Sequence, residues 1–267
     1  MYHVDQLEIS KDLCLVREQL KALMPDNPLV HGWASFSQCD EDGIIRECLR
    51  RIAQVTACSR TFIEIGCADG LENNTHQLVL DGYKGVWVEG SQEKAAFMSE
   101  QLGGLQFERL LIKNSFVDLG NISQLIQEAA SFLHEKAVDF FSLDVDGNDW
   151  HLMKVAIDVI SPKLICVEYN GKFPPPSHMV MEYNAAHEWM GDDYYGASLQ
   201  AWIDALPGYT LVACNASGAN AFFVRNDLAG GFTQYPVELL HQPPRYWLAN
   251  GSLGHKNSLK WLRQAVQ

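Results

Sequence analysis

The stretch Thr61-Phe-Ile-Glu-Ile-Gly-Cys-Ala-Asp-Gly70 is an apolar strand that runs straight into a glycine-bearing loop. Such a junction constrains the chain strongly, because small residues let backbone approach a ligand at the carboxyl end of a strand. Glu64, Gly66, Ala68, Asp69 and Gly70 read as E-x-G-x-A-D-G. A second strand, Gly85-Val-Trp-Val-Glu89, ends in an acid suited to a ribose diol, at the spacing of about 20 residues that a nucleotide site uses. A dinucleotide site would carry G-x-G-x-x-G and place a pyrophosphate at a helix N-terminus. Here Asp69 occupies the turn. An acid there repels phosphate and suits the ammonium and sulfonium of S-adenosylmethionine.

The rest of the chain supplies an α/β frame for that loop. The periodicity predicts strands over 61–66, 85–89, 107–112, 138–144, 163–169, 209–214 and 220–225. Helices are predicted over 5–23, 40–55, 74–81, 92–102, 119–134, 149–158 and 198–206. Runs such as Leu164-Ile-Cys-Val167 suit parallel strands covered on both faces. Alternating strands and helices imply right-handed crossovers and a doubly wound sheet. The last two strands break the rhythm, since only Asn215-Ala-Ser-Gly-Ala219 separates them, which makes an antiparallel hairpin. The expected fold is therefore a Rossmann-like, class I methyltransferase sheet of seven strands with the last antiparallel. N-terminal helices occupy 1–56, the cofactor-binding domain 57–226, and a C-terminal extension 227–267. An irregular insertion at 171–197 follows strand five and is long for a plain connection, as lids and binding loops are.

Composition narrows the function class. A net charge of −13 argues against a nucleic-acid surface. No apolar run reaches the roughly 18–20 residues of a membrane helix, and the first residues lack a secretory pattern. Cysteines at 14, 39, 48, 58, 67, 166 and 214 form an odd set without C-x-x-C spacing, neither a disulfide framework nor a zinc motif. A reducing cytoplasm is the expected compartment. Tyr246, Trp247 and the proline-bearing tail suit packing on a second copy of the chain.

Ligands of open α/β sheets bind at the carboxyl ends of the strands. The residues there are Gly66 and Asp69, Glu89 and Ser91, Asn114 and Ser115, then Asp144-Val-Asp-Gly-Asn-Asp149 and Glu168-Tyr-Asn170. Glu64, Gly66, Asp69, Glu89, Ser91, Asn114, Ser115 and Asp144 are expected to line the cofactor. Asn114 and Ser115 would reach the adenine, although both are also common turn residues. Asp69 is also a good helix cap, and Asp149 reads as a cap or first-turn acid. Asp144, Asp146, Glu168 and Asn170 make an all-oxygen group suited to Mg²⁺ or another divalent cation. Among nine histidines none has metal-pair spacing. His151 lies in the helix after the acids, and His178 and His187 lie in the long loop; the base for an attacking hydroxyl is expected to be His178 or His151, and the loop position favours His178.

These segments together resemble S-adenosylmethionine-dependent methyltransferases of the FkbM-like group, in a bacterial branch linked to surface-polysaccharide genes. The likeness spans roughly 37–226. It is carried by Ser37-Gln-Cys-Asp-Glu-Asp-Gly-Ile-Ile45, Glu64–Gly70, Glu89 and Ser142-Leu-Asp-Val-Asp-Gly-Asn-Asp149. Val167-Glu-Tyr-Asn170, Tyr195-Gly-Ala-Ser-Leu199 and Gly218-Ala-Asn-Ala-Phe-Phe-Val-Arg225 add to it. Ala68 stands where many methyltransferases have glycine. The resemblance implies that Gly66, Asp69 and Glu89 hold the cofactor and that Asp144 flanks the transferred methyl. It implies O-methyl transfer to a hydroxyl of a sugar or sugar-containing metabolite. Two other readings are a catalytically inactive scaffold on the same fold and an NAD-type oxidoreductase, the latter weakened by the absent G-x-G-x-x-G.

Overall fold

The computed structural model describes residues 4–102, 108–249 and 259–264. Seven strands form one sheet: β1 (Thr61–Ile65), β2 (Lys84–Glu89), β3 (Leu110–Asn114), β4 (Phe140–Leu143), β5 (Leu164–Glu168), β6 (Tyr209–Cys214) and β7 (Asn220–Arg225). Their order is β3-β2-β1-β4-β5-β7-β6. The first five are parallel, and β7 inserts antiparallel between β5 and β6. This is the Rossmann-like sheet of class I methyltransferases, with the reversal of order at β1 and β4 that opens a crevice above their carboxyl ends.

Helices cover both faces: α1 (Val4–Leu23), α2 (Glu41–Ile52), α3 (His76–Leu80), α4 (Gln92–Gln101), α5 (Ile122–Leu133), α6 (Asp149–Ala156) and α7 (Leu199–Ala205). Two short helices, α8 (Val237–Leu240) and α9 (Lys260–Gln264), lie in the C-terminal region. Every residue of β1 and of β4 is buried, as parallel strands covered on both faces require. Phe62, Trp87, Phe140, Phe141, Phe222 and Phe223 are fully buried. Each such ring contributes roughly 1.5–3 kcal/mol relative to exposure, so the sheet holds its strand ends firmly. No helix among the described residues is long and apolar enough to cross a membrane.

The third strand departs from the expected 107–112. It runs Leu110–Asn114 because the parallel ladder with β2 continues until Asn114 pairs Glu89. The apolar pattern ends earlier than the hydrogen bonding does; position 107 lies outside the described residues.

Both flanking segments clamp the β6–β7 turn. Asp40 accepts from Ala216 N–H at 3.2 Å, and Glu41 accepts from the amides of Asn215 and Asn220, the latter at 3.1 Å. From the other side Arg245 donates its backbone N–H to Ser217 O (2.7 Å) and its guanidinium to Ala216 O (3.1 Å). Asp42 gathers three backbone N–H groups, from Ser35, Phe36 and Ser37, at 2.7–3.1 Å. The acids Asp40, Glu41 and Asp42 thus enter the interior paired with backbone and amides, which is the condition for burying carboxylates.

Candidate active site

The crevice above β1, β2 and β4 is a cleft of ≈ 410 Å³. Its wall is built from the end of β1 and the loop after it (Glu64, Gly66, Ala68 and the run Glu72–Asn74), the end of β2 and the turn after it (Glu89, Ser91), the loop after β3 (Ser115, Phe116) and the loop after β4 (Asp144, Asp146, Asn148). Gly66 sits at φ +85°, and a Cβ there would lie 1.6 Å from the carbonyl oxygen of Asp144. The two loops therefore touch through a residue that has no side chain. Ala68, at φ +51°, takes a left-handed conformation where a glycine would rest without strain.

Glu64 lines the cleft from β1 and is almost fully buried. It accepts from Asn74 N–H at 2.9 Å and from the Thr75 hydroxyl, which itself accepts from Trp87 Nε1 at 2.6 Å. Burial pushes its carboxyl up to about 7, against the pull of these donors. Glu89 lies at the β2 end with one oxygen accepting from Ser91 N–H at 2.7 Å. Ser91 caps α4 through Lys94 N–H.

The acids after β4 divide into two roles. Asp149 is fully buried, and its two oxygens accept from Val145 N–H (2.7 Å) and Gly147 N–H (2.8 Å), folding the loop back on the helix start. Asn148 occupies the N-cap position of α6 without a capping bond from its side chain, which instead donates to Asn184 O at 2.8 Å and accepts from Asn184 N–H at 3.2 Å. Asp144 and Asp146 stay in the cleft and join Glu168 from β5; one oxygen of each lies within 4.8 Å of the others. Burial, then the charges of Asp149 and Asp146, push Asp144 well above the usual carboxylate range. Burial and the charges of Asp144, Asp149 and Asp146 do the same to Glu168. Three oxygen donors at this spacing fit a hard cation.

Other sequence-chosen residues lie elsewhere. Asp69 is outside the lining and accepts from Leu71 N–H at 3.0 Å, a turn-forming bond. Asn114 spends its amide on Glu89 O and Gly90 O, tying β3 to β2. Asn170 donates to Asp193 O and Tyr195 O, which anchors the loop after β5. His151 Nε2 meets Met181 O at 2.8 Å, and His178 faces Asp204 at 3.7 Å; neither lines the cleft. His187, from the same loop as His178, does line it. Its ring lies against Gly147, where a Cβ would come within 2.3 Å of Cδ2, and its buried Nε2 has no hydrogen-bond partner. The Glu72-Asn-Asn74 run and Gln38 also enter the wall. Their sequence signal is a polar helix start, which does not distinguish a capping run from a ligand-facing one.

No protein-family model matches the chain, and no curated protein matches it. Among solved structures it is similar to a putative caffeoyl-CoA O-methyltransferase from Staphylococcus aureus, at 14% identity and TM-score 0.46, covering 82% of this chain and 100% of that one. An O-methyltransferase from Bacillus cereus in complex with S-adenosylhomocysteine gives 15% identity and TM-score 0.43 over 79% of this chain and 90% of that one. The N-terminal domain of EvdMO1 with S-adenosylhomocysteine bound gives 15% and 0.42 over 78% and 93%. Likenesses this remote transfer no chemistry from those proteins to this one.

Proposed function

We propose that the cleft binds S-adenosylmethionine and that the chain is an FkbM-like O-methyltransferase acting on a hydroxyl of a sugar or sugar-containing metabolite in surface-polysaccharide synthesis. The observation that carries this reading is a single cleft. It joins the side-chain-free turn at Gly66, the ribose-suited acid Glu89 and the carboxylates Asp144 and Asp146. The residues fit the cofactor in turn. Gly66 allows close approach of backbone, and Glu89 keeps one oxygen beyond its Ser91 bond for a ribose hydroxyl. Ser115 and Phe116 offer a wall for the adenine, and the acids suit a cationic methionine end. Bound there, the cofactor supplies an electrophilic methyl carbon on a sulfonium.

The chain's own part is alignment and exclusion of water around an in-line displacement. Asp144 orients the acceptor hydroxyl and receives its proton. Asp146 and Glu168 complete a site for Mg²⁺ or another divalent cation, which would offset their charge and make a bound hydroxyl more acidic. Asn170 positions the loop over that group. Calorimetry with S-adenosylhomocysteine and with NAD tests the reading. Binding of the first and not the second supports it, and the reverse would return the chain to the oxidoreductases. Cofactor binding without methyl transfer to any sugar nucleotide or surface glycan would favour the inactive scaffold.

A further inference from the structure

An aromatic group is anchored at the carboxyl end of β5, the strand that brings Glu168 to the acid group. Two residues past Glu168, Asn170 donates its amide to Asp193 O (2.9 Å) and Tyr195 O (3.3 Å) and its backbone N–H to Ala197 O (2.8 Å). These bonds fix Tyr195 at the end of β5. Its hydroxyl meets that of Tyr246 at 2.6 Å. Tyr246 arrives from the C-terminal extension, next to Arg245 and its bonds to the β6–β7 turn. On its ring side Tyr195 packs edge-on to Trp189, with centroids 6.2 Å apart. Trp189 is held by its own Nε1 bond to Asp192 O at 2.8 Å. Trp189 and Tyr246 are nonetheless 50% and 45% exposed. Burial, and after it the charge of Glu168, push the Tyr195 phenol up.

We propose that Trp189, Tyr195 and Tyr246 form the acceptor subsite, an aromatic wall that takes a sugar ring on its C–H face and turns the ring's hydroxyls toward Asp144, Asp146 and Glu168. The inference rests on the methyltransferase reading above and adds the residues that choose the acceptor. A sugar ring carries a C–H face and a rim of hydroxyls, which matches an aromatic surface bordered by carboxylates. A planar phenol would need an apolar slot on both faces, and the group beside this wall is charged. One phenol proton is used between Tyr195 and Tyr246, which leaves the other to donate to a ring oxygen. Hydroxyl donors also relieve the repulsion among the three acids.

Saturation-transfer NMR on the full chain with S-adenosylhomocysteine present tests the wall, using methyl α-D-glucopyranoside, methyl α-L-fucopyranoside and catechol as probes. At least one glycoside should receive saturation from aromatic protons. Trp189→Ala and Tyr246→Ala should each weaken that glycoside by roughly tenfold or more, as loss of an aromatic anchor does. Tyr246→Phe should retain most of the contact. Calorimetry on the same variants should give S-adenosylhomocysteine affinities within about twofold of wild type, which also reports that they fold. Glycoside contact unchanged in both alanine variants, no glycoside contact at all, or preferential contact with catechol would each overturn the wall while the cofactor reading stands. Failure of wild type to bind S-adenosylhomocysteine would instead remove the methyltransferase reading, and this inference with it.

Discussion

Gly66 and Asp144 meet backbone to backbone: the carbonyl oxygen of Asp144 occupies the space where a side chain on residue 66 would begin. Gly66→Ala must therefore push the β4 loop away and also adopt φ +85° with a Cβ. Overpacking and a left-handed non-glycine residue together cost roughly 2–5 kcal/mol. Denaturant midpoints should show that loss, and S-adenosylhomocysteine should bind far more weakly to the folded fraction. Wild-type stability and affinity would show that the contact is not made.

Glu89→Ala should weaken cofactor affinity by roughly tenfold to a hundredfold, since each hydrogen bond to a charged acceptor is worth about 1.5–3 kcal/mol. Calorimetry with S-adenosylhomocysteine measures it. Equal affinity in the two proteins would remove Glu89 from the ribose.

Chelation separates the acid group from the cofactor cleft. Turnover should fall in EDTA and return with Mg²⁺, while S-adenosylhomocysteine binding persists. Asp144→Ala should lower kcat more than it weakens the cofactor, because its demand peaks as the hydroxyl loses its proton. Full activity in EDTA would dismiss the cation and leave proton removal to Asp144 or to His187 in the cleft.

The buried acids also set a pH dependence. Burial pushes Glu64 up to about 7, and burial with the charge of Glu41 raises Asp40 to about 7 as well. In the unfolded chain both titrate near 4. Over the interval between, the folded state binds more protons, so stability falls as pH rises through the folded values. His76, lowered to about 4 by burial, works in the opposite sense only below its unfolded value near 6.5. Melting temperature of the ligand-free protein should therefore drop from pH 6.5 to pH 8. A flat profile over that interval would mean that Glu64 and Asp40 are ionised throughout.

Strands and the glycine-bearing loop after β1 were legible in the chain because their signals are local: apolar runs, a glycine at 66 and an acid at 89. What the sequence could not separate was the job of like residues a few positions apart. Asp144, Asp146 and Asp149 look alike as letters, yet two oxygens of Asp149 go to its own loop while Asp144 and Asp146 remain in the cleft. His178 and His187 share one loop, and only the chain's return past Gly147 brings His187 to the wall. Tyr195 and Tyr246 are 51 residues apart and become partners through two separate anchors, Asn170 and Arg245.

The clamp on the β6–β7 turn has a consequence for how the protein is made. Glu41 finds its Asn215 partner 174 residues later in the chain. Ribosomes add roughly 5–20 residues per second, so the wait is roughly 9–35 s. Through that interval the carboxylates at 40 and 41 lack the amides that later let them enter the interior, and α2 cannot take its final seat. Until the hairpin emerges the nascent N-terminal segment lacks the partners that Asp40 and Glu41 take in the finished fold, so the closing of this interior comes late in the chain's synthesis.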